Sequence, residues 1–200
     1  MASRLLSAPE PFPQEPELEE RLRSLYGEAS GLFPARDFRQ AAVLIALAGA
    51  KEEGSVILTQ RASHLGEHAG QVSFPGGRID AGETVLEAAL REAEEEIGLQ
   101  RSFVQPLGYL PGYATLTSRY WIAPVVAALA PGFTLSPGRA EVAEILEIPL
   151  AQALSPGALG TEKLSAMGKS VEIRVLRFGR HRIWGATAAM LASLGDLASP

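Results

Sequence analysis

Three glutamates, Glu92, Glu95 and Glu96, stand three and four residues apart within the stretch GRIDAGETVLEAALREAEEEIGL, Gly77 to Leu99. On a helix such spacings make side chains neighbours, and like charges there repel one another. A chain that gathers them in this way has a cation to set between them. Hard divalent ions such as magnesium take carboxylate oxygens and work beside substrate phosphates. The chemistry these residues suggest is therefore metal-assisted attack on phosphorus. The competing reading is an ordinary solvated acidic face, and the loop ahead of the helix weighs against it.

The spacing requires a helix to carry the three acids. Thr84 and Glu87 form a T-x-x-E capping box that sets its start, and Gly98 is placed to end it. Leu86, Leu90, Ala93 and Ile97 share one side of a 3.6-residue wheel and are expected to form the core stripe. Glu92 and Glu96 lie side by side on an adjacent face, with Glu95 further round but within reach of the same ion. Arg91 sits one turn from both Glu87 and Glu95, and reads as a residue that orients carboxylates.

Around that helix the chain alternates apolar runs with turns. Residues 1–16 hold four prolines and read as an extended arm. Glu17 to Tyr26 places Leu18, Leu22 and Leu25 on one side of a short amphipathic helix. The run AAVLIALAG after Arg39 suits a buried strand, KEEG a turn, and SVILTQR a second strand, together a hairpin. Ala62 to Gly77 reads as a glycine-bearing loop. Phe103 to Tyr109, Tyr120 to Leu129 and Val171 to Phe178 read as strands. Glu141 to Leu150 reads as a strand or short helix, Ala151 to Lys169 as loop with a short helix at most, and Ile183 to Leu194 as a closing helix. Strands precede and follow the central helix without regular βα alternation, which indicates an α+β fold.

Two hundred residues with 46% hydrophobic content suit one packed domain. A net charge of −5 and a pI near 5.3 argue against a general nucleic-acid binder. With no cysteine, disulfides, zinc–thiolate sites and cysteine nucleophiles are excluded. The segment MASRLLSAPEPFP lacks a secretory apolar run. The longest apolar stretch, Tyr120 to Ala130, is too short to span a bilayer. The expectation is a soluble cytoplasmic protein with no membrane partner, and a homodimer as its commonest closed assembly.

Gly77, Glu83, Arg91-Glu92, Glu95-Glu96, Gly98 and Leu99 together resemble the Nudix box, G-x5-E-x7-R-E-U-x-E-E-x-G-U, where U is a bulky aliphatic. Ala93 at a U position is the one departure. The resemblance implies an α/β/α sandwich around a mixed sheet, with a catalytic loop–helix–loop. It implies hydrolysis of a nucleoside diphosphate linked to another moiety, with Mg2+ or Mn2+ as cofactor. Carried over by position, Glu92, Glu95 and Glu96 would bind the metal, with the Gly77 carbonyl as a further ligand and Glu83 supporting the loop. Arg91 and Glu141 would join the three glutamates as catalytic residues, the water being activated by Glu92 or a later carboxylate. Activity would favour alkaline pH, where ligands and attacking water are deprotonated. The expected division is an arm and short helix over 1–38, the Nudix hydrolase domain over 39–195 and a tail over 196–200.

The segment before the box, ILTQRASHLGEHAGQVSFPGG, resembles the signature of coenzyme A pyrophosphatases, LLTxR(S/A)x3Rx3Gx3FPGG. Leu58, Thr59, Arg61, Ala62, Gly70, Phe74, Pro75, Gly76 and Gly77 match, whereas Gly66 replaces the inner arginine. Arg61, or the basic run Arg177, Arg180, His181 and Arg182, is the cation on hand to take its place. The implied reaction cleaves coenzyme A or its derivatives to 3′,5′-ADP and 4′-phosphopantetheine or its acyl form. Arg61, His68, Phe74 and Gly76 are the expected substrate contacts. Another nucleoside diphosphate derivative, such as ADP-ribose or a dinucleotide, is the alternative substrate. A catalytically silent nucleotide-binding regulator is the alternative of another class.

His64 to His68 also spells the zinc-protease pattern H-x-x-E-H. That pattern needs a helix, and Gly66 and Gly70 indicate loop, which leaves His68 as a lining of the substrate loop. Glu141 and Glu144 are downstream carboxylates available as a base or further ligand. Trp121 and Trp184 are expected in the core or at a dimer interface.

Overall fold

The apolar run after Arg39 forms β1, Arg39–Ala48, buried along almost its whole length. Such a strand needs cover on both faces, and its alternation divides the molecule. Ala42, Leu44, Ala46 and Ala48 face one layer, whereas Val43, Ile45 and Leu47 face another. The computed structural model describes residues 4–26, 30, 34–49, 53–66, 69–138, 140–166 and 169–198. Within these, β1 runs parallel to β7, Tyr120–Leu129, from the Arg39↔Tyr120 pair to Leu47↔Ala128. The other pairings are antiparallel, so the sheet is mixed.

β2, Ser55–Arg61, meets β1 only at Leu47↔Val56 and Ala48↔Ser55. Beyond that point the two strands part. β1 pairs with β4, Gly76–Arg78, while β2 pairs with β3, Val72–Ser73, and with β8, Val142–Pro149. This fork seats Gly76 and Gly77 at the N-terminal half of β1. β5, Val104–Tyr109, and β6, Tyr113–Thr115, pair with β7. Helix α2, Val85–Ile97, packs on the alanine-bearing face of β1. The opposite face is covered by α4, Ala186–Ala198, through Met190, Leu191 and Leu194, and by Leu176 and Ile183 of a second, three-stranded sheet. That sheet comprises β9, Leu159–Ala166, β10, Lys169–Phe178, and β11, His181–Trp184. The Thr187 hydroxyl donates to the Val72 carbonyl at 3.1 Å and ties α4 to the main sheet.

The N-terminal arm and α1, Glu15–Tyr26, pack against the body through Leu18 and Leu22, which meet Phe38, Ala114 and Trp121. Two fully buried leucines stabilise that seam by roughly 3–6 kcal/mol. Arg21 stacks over the Trp121 ring at 5.1 Å and donates to Glu10 at 2.6 Å, and Glu10 accepts from the Gly112 amide at 2.8 Å. The Leu25 side chain lies outside the described residues, as do Lys51 and Glu52 of the expected turn.

Three expectations change. Ile183 and Trp184 are strand, not helix: they pair with Leu176 and Val175, and Gly185 at φ 66° then turns the chain into α4. The alternation of buried His181 and Ile183 with half-buried Arg182 and Trp184 carries the strand. Residues 151–169 hold β9 as well as a short helix, α3, Leu150–Ala153. β9 is polar (Gly160, Thr161, Glu162, Lys163), so its backbone pairing with β10 dictates the strand where side chains do not. The closing helix also runs past residue 195 to Ala198. Among the described residues, no helix is long and apolar enough to cross a membrane.

Candidate functional site

α2 begins as the sequence predicts. Thr84 accepts from the Glu87 amide at 3.2 Å, Glu87 accepts from the Thr84 amide at 2.8 Å, and Gly98 closes the helix in the left-handed region at φ 65°. Its buried face differs from the expected stripe. Ala88, Ala89, Ala93 and Ile97 are buried, while Leu86 and Leu90 are only half-buried. The facing strand also presents alanines, Ala42 and Ala46, so the closest approach is made by the smallest side chains. At about 100° per residue, Glu92 and Glu96 fall inside the arc bounded by Ala88 and Ala89. The same rotation that buries the alanines presses these two carboxylates against β4.

Glu96 accepts from the Gly76 amide at 3.2 Å. Gly77 abuts Glu92 so closely that a Cβ would overlap the carboxylate. Burial pushes the Glu96 carboxyl up to about 7 against the favourable Gly76 amide, and the nearby charges of Glu92 and Glu141 add to the rise. Glu92 is raised too, first by burial, although the Arg91 hydrogen bond opposes it. Glu95 is different: its side chain is 60% exposed.

Arg91 organises the acidic loop. Its Nε and Nη2 donate to the two oxygens of Glu83 at 2.9 and 3.0 Å, Nη2 also to the Arg78 carbonyl at 3.0 Å, and Nη1 to Glu92 at 2.8 Å. Glu95 lies 3.5 Å from the same Nη1. The expected partner Glu87 is instead engaged by the cap. Arg91 holds Glu83 below the usual carboxylate range. The C-terminal carbonyls of α2 are met by the loop before β8, for which no sequence expectation was set: Ser136 N donates to Ile97 O at 2.9 Å and Gly138 N to Glu96 O at 2.8 Å. The Pro137-Gly138 pair was its only sequence signal.

Arg61 and Glu141 meet at 3.2 Å on exposed ground, near enough for both to influence Glu96. Gly76 and Gly77 lie on β4 beside Glu96 and Glu92. Phe74 is 1% exposed in the core and supports the turn from inside, so its expected substrate contact is corrected. Glu144 pairs with Gln60 across β2 and β8, and binds Arg180 and the imidazole of His181, apart from the other acids. His64 to Gly66 form a turn, not a helix, and Gly66 opens onto free space. His68 and Glu67 lie outside the described residues.

Among the described residues, no three acidic or imidazole side chains stand at ligand spacing as they lie. The donor set nonetheless suits a hard divalent ion. Two crowded, desolvated carboxylates would each gain from a cation, and the Gly77 backbone is unobstructed by a side chain of its own.

A NUDIX domain model matches residues 38–166. The Nudix hydrolase NudL of Escherichia coli O7:K1, itself named as uncharacterized, is 41% identical over 157 residues, which are 78% of this chain and 81% of that protein. The NudL of Shigella boydii serotype 18, likewise named, is 40% identical over the same coverage. Among solved structures, a MutT/nudix family protein from Enterococcus faecalis superposes with a TM-score of 0.55, covering 94% of this chain and 76% of that one at 18% identity. That last likeness concerns the fold alone.

Proposed function

The chain belongs to the Nudix family, and from that premise we propose that it is a metal-dependent pyrophosphohydrolase cleaving the diphosphate of coenzyme A or its derivatives. The observation that carries the hydrolytic reading is the Glu92–Glu96 pair, desolvated against Gly76 and Gly77 with Glu96 raised to about 7. Glu92, Glu95, Glu96 and the Gly77 carbonyl would hold Mg2+ or Mn2+. Such an ion neutralises a diphosphate and lowers the pKa of a bound water.

The chain's own groups supply the rest. Arg91 fixes Glu92 and the loop through Glu83. Arg61 presents a guanidinium suited to a phosphate oxygen. Glu141, exposed beside Arg61, accepts the proton released as water oxygen bonds to phosphorus and the P–O–P bridge opens. Both products leave as phosphate monoesters. The coenzyme A assignment rests on the match through residues 57–77, where Arg61 stands in the site and Gly66 leaves the inner position without a cation.

A panel of coenzyme A, an acyl derivative, ADP-ribose and a dinucleoside polyphosphate, with products identified by mass, tests this. Coenzyme A should yield 3′,5′-ADP and 4′-phosphopantetheine with Mn2+ or Mg2+ and nothing in chelator. Glu96→Gln should lower kcat at least a hundredfold with its fold intact. Cleavage of ADP-ribose but not coenzyme A would overturn the substrate. Tight adenine-nucleotide binding without metal-dependent cleavage would make the protein a silent binding module.

A further inference from the structure

At the N-terminal ends of β1 and β7 the strands lie in the order β4, β1, β7, β6. One face of this end is sealed: Ala114 and Trp121 are buried beneath Leu18 and Leu22 of α1. The other face carries a row with one residue from each strand. Arg78 stands opposite Ala41, Ala41 beside Ile122, and Ile122 opposite Tyr113. Partners directly across a ladder share a face. Ala41 follows the face of Val43 and Ile45, which is turned away from α2. Tyr113 and Ile122 are half-buried and Arg78 is exposed, so this face is left partly open.

Core packing does not account for the row. Tyr109 is packed into the cluster around α2, whereas Tyr113 belongs to none of the three hydrophobic clusters. Arg39 already lies over the ring of Tyr120, in the next row, at 5.1 Å. Tyr113 has no such cover among the described residues, and Arg78 is paired with no carboxylate among them. Ala41 keeps the centre of the row low. The result is a trough with a cation at one end, an alanine floor and an aromatic ring at the other end, four strands or roughly 14 Å across. β4 joins this trough to the acids. One edge of β4 is paired with β1, and groups on its other edge meet side chains of α2: the Gly76 amide meets Glu96 and the Arg78 carbonyl meets Arg91. Among the described residues no strand closes that edge, so a ligand held there can continue round it onto the face of Arg78.

We propose that this trough binds the nucleoside half of the substrate, with the base stacked on Tyr113, the ribose over Ala41 and the phosphate next to the ribose beside Arg78. The proposal rests on the reading of the chain as a hydrolase of nucleoside diphosphate derivatives. It holds for coenzyme A, ADP-ribose and a dinucleotide alike, because each contains an adenosine 5′-diphosphate. A purine offers a π face that stacks on an aromatic side chain whatever its edge pattern, and a guanidinium complements the phosphate. The pantetheine arm has no ring to set on Tyr113. With the reach of the arginine side chain included, an extended nucleotide bridges the distance from Arg78 to Tyr113.

The test compares 5′-AMP with ribose 5-phosphate, which share the sugar and the phosphate and differ in the base. Calorimetric titration of wild type should show 5′-AMP bound about tenfold more tightly, the size expected of one base–aromatic stack. Equal affinities overturn the proposal, and this comparison needs no variant. Tyr113→Leu should bring 5′-AMP down to the affinity of ribose 5-phosphate and leave the latter unchanged, whereas Tyr113→Phe should keep the wild-type gap. Circular dichroism establishes folding, and a folded Tyr113→Leu that retains the gap overturns the base site. Arg78→Gln should weaken both ligands by a similar factor, and unchanged affinities overturn the placing of the phosphate. In turnover, Tyr113→Leu should raise KM about tenfold with kcat nearly unchanged. Selective binding of 5′-AMP through Tyr113 without cleavage of any diphosphate would end the hydrolase reading and leave the base site standing. Cleavage with an unaltered KM in folded Tyr113→Leu would end the base site alone.

Discussion

Gly77 faces the Glu92 carboxylate across a gap that holds no methyl group: a Cβ on Gly77 would sit 2.7 Å from Oε2. The glycine is there for the carboxylate, since its φ is unremarkable. Gly77→Ala must displace Glu92 or bend β4. Overpacking of this kind costs roughly 1–3 kcal/mol, but the larger effect falls on turnover. We expect kcat to drop more than tenfold and Mn2+ affinity to weaken, measured by steady-state assay and metal titration. Wild-type values for both would show that Glu92 has no need of its position.

The Arg91 fork makes a second prediction. One guanidinium spans Glu83, the Arg78 carbonyl and Glu92. Lysine offers one compact ammonium and cannot bridge all three. Arg91→Lys should lower unfolding stability by about 2–3 kcal/mol and reduce turnover. Glu83→Gln should reproduce part of both effects. An unshifted urea midpoint in Arg91→Lys would show that the fork does not hold the loop.

The third concerns pH. Glu96 titrates near 7 in the folded protein, against an ordinary value of 4.5. Between these values the native state binds the extra proton. Its contribution to stability is therefore fully present below about 4.5 and is lost as pH rises through 7. The loss is on the order of 3 kcal/mol. Glu96→Gln mimics the protonated form, so it should melt several degrees above wild type at pH 8 and close to it at pH 5. Added Mn2+ should raise the wild-type melting temperature at pH 8 and leave that of the variant nearly unchanged. Equal melting temperatures at pH 8 without metal would show that Glu96 is not held against its charge.

Much of the catalytic side was legible because it is written in local code. Thr84 with Glu87, Gly98, and the glutamate spacing each act within one helix, and the β1–β2 hairpin declares itself by two apolar runs around a turn. What escaped was set by tertiary partners. Hydrophobicity favoured Leu86 and Leu90 for the buried face, but a helix pressed against an alanine strand buries what is small. β9 is strand because β10 lies beside it, and the dipeptide Ile183-Trp184 merged into an apolar run whose break, Gly185, is a single residue. Phe74 matched a substrate signature that records which residues recur and not which way each one points.

The seam of Ala42, Ala46, Ala88, Ala89 and Ala93 is built from the shortest side chains that still exclude water. Its thickness sets how high the acid row rides above the strand, as a shim sets the clearance of a blade. Widening it by two methyl groups at one position would lift the whole row together. Drift at these alanines is therefore punished first in catalytic rate and only later in heat resistance.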